Sequence, residues 1–71
     1  MSRAAYEIRV TGEMPPRLSE DFERVTVSAD SAGATLHADL IDQAELHGLL
    51  EALRRDGLVL VEVRREQVFG A

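Results

Sequence analysis

The sequence predicts an α+β fold: a four-stranded antiparallel sheet with two helices on one face, in the order βαββαβ. Three observations carry this. Residues 43–56 place Leu46, Leu49, Leu50 and Leu53 at i, i+3, i+4 and i+7, the spacing that lines one face of a helix. Directly afterwards LVLVEVRR changes to the two-residue alternation of a strand. In the middle of the chain two apolar-alternating segments flank DSAG, and one antiparallel register sets apolar residues opposite apolar residues on both sides of that turn.

Taken in order, YEIRVT alternates Tyr6, Ile8 and Val10 against Glu7, Arg9 and Thr11, which predicts a half-buried strand over 5–11. PPRLSEDFE at 15–23 follows, with Pro at a helix start and Leu18 and Phe22 four apart, so a short helix is expected over 16–23. The second strand, 24–29, offers Val25 and Val27 to the core, and the third, 34–41, offers Leu36, Ala38 and Leu40. Asp30 and Gly33 occupy the first and fourth positions favoured in a type I turn. Pairing Val27 with Leu36 and Val25 with Ala38 also sets Arg24 opposite Asp39.

The second helix, 43–56, is signalled at both ends. Asp42 with Glu45 three residues later reads as a capping box, and Ile41 packs on Leu46 as a hydrophobic staple. Arg54 and Arg55 suit the negative end of the helix dipole, Gly57 takes a left-handed conformation, and Leu58 touches Leu53 in a Schellman motif. The last strand, 58–65, then directs Val59, Val61 and Val63 to one face and Leu60, Glu62 and Arg64 to the other. Two βαβ halves joined by a hairpin make a ferredoxin-like split βαβ sandwich. Its first helix is short for that fold, and residues 1–4 and 67–71 are expected to be loose.

Composition narrows the function. A chain of 71 residues encloses one core and therefore one domain, spanning 1–71. The absence of cysteine removes disulfides and thiolate zinc sites and points to a reducing cytoplasm. No apolar run reaches the roughly 20 residues that cross a bilayer, and MSRAAYEIRV has no apolar signal-peptide centre, so no membrane partner is expected. Thirteen acidic residues against eight basic give a net charge of −5, which repels phosphate backbones and argues against nucleic acid. Every basic residue is Arg, which excludes lysine Schiff-base chemistry.

The stretch DQAELHGLLEALRRDGLVLVEVRR, 42–65, resembles small actinobacterial-type hypothetical proteins of uncharacterised function, and that resemblance implies a fold without an activity. VTGEMPPRL at 10–18 is similar in a weaker way to the first loop of ACT-type ligand-sensing domains. That likeness implies a small-ligand loop at Gly12, Glu13 and Met14, with an amino acid as the ligand class.

The polar residues of the chain assemble into no catalytic set. His37 and Asp39 share the outward face of the third strand with Thr26 and Ser28 nearby, but a flat strand surface offers neither pocket nor oxyanion hole. Two such ligands also fall short of a closed metal site. His47 lies off the leucine stripe, four residues before Glu51, as a solvated helical side chain. Arg65 is expected to return near Asp42 and Glu45 as a surface ion pair. Of the aromatic residues Tyr6, Phe22 and Phe69, the first two point inward, so the outer sheet face lacks base-stacking side chains. Neither catalytic, cofactor-binding nor metal residues are therefore assigned, and an enzyme is not expected. Gly48 in a helix interior costs about 1 kcal/mol relative to Ala and suggests that a strand or second subunit approaches there. The last strand should be a sheet edge without Pro or Lys to discourage pairing. The leading expectation is a non-enzymatic interaction or oligomerisation module, a homodimer with Leu60, Glu62 and Arg64 at its interface. The alternative is the amino-acid sensor.

Overall fold

Alternating apolar side chains that leave water together organise the described residues around one four-stranded sheet and the helix that follows its third strand. The computed structural model describes residues 3–14, 20, 22 and 24–66. Its elements are β1 (Ala4–Thr11), β2 (Val25–Asp30), β3 (Gly33–Ile41), α1 (Gln43–Arg55) and β4 (Val59–Glu66), each end within one residue of the sequence expectation. The sheet order is β2-β3-β1-β4, and every neighbouring pair is antiparallel. The protein is thus α+β with a four-stranded antiparallel sheet. The short helix expected over 16–23 lies, apart from residues 20 and 22, outside the described residues, as do residues 1–2 and 67–71. Ala4, expected to be loose, begins β1 opposite Ile41 and is buried.

The hairpin takes the register that the apolar pattern requires. Val25 pairs with Ala38 and Val27 with Leu36, so all four face the helix. The Asp30 carboxylate accepts from the backbone N–H of Ala32 at 2.9 Å and of Gly33 at 3.0 Å, an Asx turn that closes the loop locally. Arg24 lies beside Asp39 in the backbone ladder, the Asp39 N–H donating to the Arg24 carbonyl at 2.9 Å. Its guanidinium, however, donates to the Leu40 carbonyl at 3.2 Å.

One expectation in β3 is overturned. Leu40 is 45% exposed and Ile41 only 3%, so the inward residue is Ile41. Tyr6 pairs with Ala38 and Ala4 with Ile41, which leaves Asp39 and Leu40 together opposite Ala5. This bulge advances the pleat by one residue and brings Ile41 inward before the helix begins. Leu40 absorbs the turn with φ 52°.

The ends of α1 form as the local signals require. The Glu45 N–H donates to the Asp42 carboxylate at 2.8 Å, and the Asp42 N–H donates to the Glu45 carboxylate at 3.2 Å, a reciprocal capping box. At the C-terminus the Leu58 N–H reaches the Leu53 carbonyl and the Gly57 N–H the Arg54 carbonyl, both at 3.1 Å. Those are the two bonds of a Schellman motif, with Gly57 at φ 83°.

Leu46, Leu49 and Leu53 are the buried residues of α1. They join Ile8, Val10, Val25, Ala34, Leu36, Ala38, Ile41 and Leu58 in one core, against which Tyr6 and Phe22 pack in part. No close neighbour approaches Gly48: a Cβ built there meets nothing within 4 Å. The expected tight contact is therefore absent among the described residues. Gly48→Ala should stabilise the fold by about 0.5–1 kcal/mol, because it restricts the unfolded chain and improves helix propensity. Chemical denaturation at low protein concentration measures this as a raised midpoint.

Candidate functional site

β4 stands at the end of the sheet, paired to β1 along one side. All eight of its residues are exposed, including Val59 at 63%, Leu60 at 48%, Val61 at 59% and Val63 at 38%. The strand thus adds no residue to the core, and the expectation that Val59, Val61 and Val63 share one face is corrected. Two physical reasons account for it. The leucine stripe of α1 packs with residues of β1, β2 and β3, and the buried core contains no residue of β4. In addition the strand contains a register shift. Val63 pairs with Ile8 and Glu62 with Arg9, but Leu60 then pairs with Val10 and Val59 with Thr11, so Val61 is an extra, bulged residue.

That bulge exchanges the faces. Opposed residues of an antiparallel pair share a face, so Leu60, Val63 and Arg65 lie on the helix side with Val10, Ile8 and Tyr6. Val59, Glu62, Arg64 and Glu66 lie on the outer side with Thr11, Arg9, Glu7 and Ala5. Of the three expected interface residues, Glu62 and Arg64 therefore share the outer face, while Leu60 stands on the other. Leu60 helps to line a concavity of about 350 Å³ beside α1, together with Leu50, Leu53, Leu58, His47 and Glu51. On that rim Glu51 accepts from the Arg54 guanidinium at 2.8 Å. The hydrogen bond first, and the positive charge second, hold the Glu51 carboxyl below its ordinary range. A lowered carboxylate pKa adds stability at neutral pH that is lost as pH falls through that lowered value.

The outer face is a ladder of polar and charged side chains. One cross-strand row reads Thr26, His37, Glu7, Arg64, and the next reads Ser28, Thr35, Arg9, Glu62. Opposite charges thus face each other between β1 and β4 in both rows. Within β4 the Arg64 guanidinium is 3.9 Å from the Glu62 carboxylate. His37 stands between two carboxylates, its Nδ1 3.3 Å from Glu66 and its Nε2 3.9 Å from Glu7. Ser28 is opposite Thr35, so Ser28, His37 and Asp39 do not fall into line as a nucleophile, base and acid. Among the described residues no group of three His, Asp or Glu side chains is placed to hold a metal ion. No ion pair joins Arg65 to Asp42 or Glu45, because those two acids close the capping box while Arg65 sits across from Tyr6.

At the other end of β1, a Cβ on Gly12 would lie 3.0 Å from Leu58 Cδ2, so its small size lets the turn after α1 pack closely. Met14 packs in part against the core and Glu13 is exposed. The three residues of the expected ligand loop thus divide between packing and solvent. No helix among the described residues is long and apolar enough to cross a membrane.

The sequence signals found the open edge but missed the bulge that sorts its side chains. The one available clue was the four-residue apolar run Leu58 to Val61, in which alternation assigns no face. Comparison with curated proteins and with solved structures gave no match. A family profile does match, over residues 5–64, which takes in the sheet and helix together and not one motif alone. On that match the chain belongs to the family of the domain of unknown function DUF8691.

Proposed function

We propose that this domain is a non-enzymatic interaction and self-association module that works through the open edge of β4. It is built on a ferredoxin-like split βαβ sandwich, with a short helix over 16–23, and acts in the cytoplasm as a homodimer. The strand order β2-β3-β1-β4, antiparallel throughout, supports the fold, since it is the order that two βαβ halves joined by a hairpin adopt. The observation that carries the function is β4 itself. An eight-residue edge strand with no buried residue presents unpaired backbone groups and four exposed aliphatic side chains. Such an edge is a template for another strand, and among the described residues the buried core takes in none of its aliphatic side chains.

Association makes apparent stability depend on protein concentration. Sedimentation velocity and thermal unfolding of the full chain, from about 1 to about 100 µM, should show mass above the 7.8 kDa monomer and a melting temperature that rises with concentration. A 7.8 kDa species with a concentration-independent melting temperature would overturn the proposal. Amino acids added to the same scans address the sensor alternative at Gly12, Glu13 and Met14: a ligand-driven rise in melting temperature would favour it. Since Leu58 accounts for Gly12, none is expected.

A further inference from the structure

The outer-face charges of β4 specify how a second copy would bind. We propose that two chains pair antiparallel along their β4 edges about a dyad at Val63, with Glu62 of each chain opposite Arg64 of the other. This rests on the self-association reading and adds its geometry. In a symmetric antiparallel pair, centring on residue c sets residue c − n opposite c + n of the second copy. A centre at Glu62 sets Glu62 against itself, and centres at Arg64, Arg65 and Glu66 likewise oppose like charges. Centres from Val59 to Val61 bring no opposite charges together within the strand. Val63 is the centre in β4 that makes opposite-charge pairs and no like-charge pair.

The same register continues the charge pattern already present in each sheet. Within one chain Arg9 faces Glu62 and Glu7 faces Arg64. Across the dyad the row becomes Arg9, Glu62, then Arg64 and Glu7 of the second copy, alternating in sign at every step. Opposed cross-strand charges stabilise a sheet and like charges directly opposite destabilise it. On the helix side the half-exposed Val63 of one chain meets that of the other. The bulge at Val61 ends regular pairing one residue beyond Glu62, so the ladder is short and its register fixed. Because the pairing is isologous, both β4 edges are used up and the assembly closes at two chains.

Two single charge reversals test this. E62R places two arginines opposite two arginines in the homodimer, and R64E places acids opposite acids. Each variant alone should dimerise on the order of ten- to thirty-fold more weakly than wild type. Mixed at equal concentration they should form a heterodimer, because each Arg of the first then faces a Glu of the second. Tight self-association of either variant, or a mixture as weak as its parts, overturns the register. The reversals also oppose Arg9 and Glu7 within the chain, so amide hydrogen exchange of the wild type provides a readout independent of mutant folding. Amides between Val61 and Arg65 should gain protection with concentration while those of β2 do not. A wild-type dimer whose β4 protection stays constant would reject the β4 dyad and leave self-association standing. A wild-type chain that stays monomeric would reject both.

Discussion

Leu36→Ala and Leu49→Ala should each lose about 2–5 kcal/mol of folding stability, whereas Leu60→Ala should change it by about 0.5 kcal/mol or less. All three remove the same atoms from the same residue type, so the contrast depends only on position. Leu36 and Leu49 are fully buried, at 0% exposure each, one on the sheet and one on the helix, in the same apolar core. Truncating either leaves a cavity that a thin core between sheet and helix cannot collapse without disturbing its neighbours. A core in a domain of this size supplies only about 3–5 kcal/mol net, so both variants should be largely unfolded at 25 °C. Leu60 is 48% exposed and outside the core. Urea denaturation followed by far-UV circular dichroism, at concentrations low enough to suppress association, separates the two outcomes. A Leu60→Ala cost equal to that of Leu36→Ala would mean that the core extends beneath β4.

The parts of this structure that were legible in the sequence are those set by residues close together in the chain. Asp42 and Glu45 fix one end of α1, and Leu53, Gly57 and Leu58 fix the other, all within a few residues. Asp30 closes the hairpin by bonding its own turn, and once the turn is set the β2–β3 register follows. The two bulges were not legible, because each depends on a partner strand distant in sequence. Leu40 and Ile41 are both aliphatic, and period-two reasoning cannot say which faces inward until β1 supplies the pairing. The run from Leu58 to Val61 is ambiguous in the same way, and the open edge of β4 was therefore foreseen while the face of Leu60 was not. Gly48 failed for a related reason: a glycine in a helix announces a missing side chain but not what lies above it. For the candidate site this means that the edge is written in local chemistry, as an apolar strand without Pro or Lys. The alternation of Glu62 and Arg64 against Arg9 and Glu7 becomes visible only once β1 and β4 are aligned.

Gly33→Ala should be among the most damaging single-methyl additions in the chain, at a cost of about 2–6 kcal/mol from backbone strain and overpacking together. Gly33 opens β3 with φ 154°, a conformation that L side chains rarely adopt. A Cβ there would run into the Val10 carbonyl oxygen and lie 3.0 Å from Thr11 Cα and 3.1 Å from the Val10 carbonyl carbon. All three are backbone atoms of the central strand, so no side-chain rotation relieves the clash. Either β1 moves away from β3, breaking the pairing of Val10 with Ala34, or the hairpin turn opens and releases the Asp30 bonds. Gly57→Ala is the matched control. It also has a positive φ, 83°, but a Cβ there meets nothing within 4 Å, so it should cost only the left-handed penalty of about 1–2 kcal/mol. Denaturation midpoints should therefore fall in the order Gly48→Ala, wild type, Gly57→Ala, Gly33→Ala. A Gly33→Ala chain with wild-type stability would show that the turn and β1 do not approach this closely, and with that the alignment of β1 between β3 and β4, on which the charge ladder depends, would have to be redrawn.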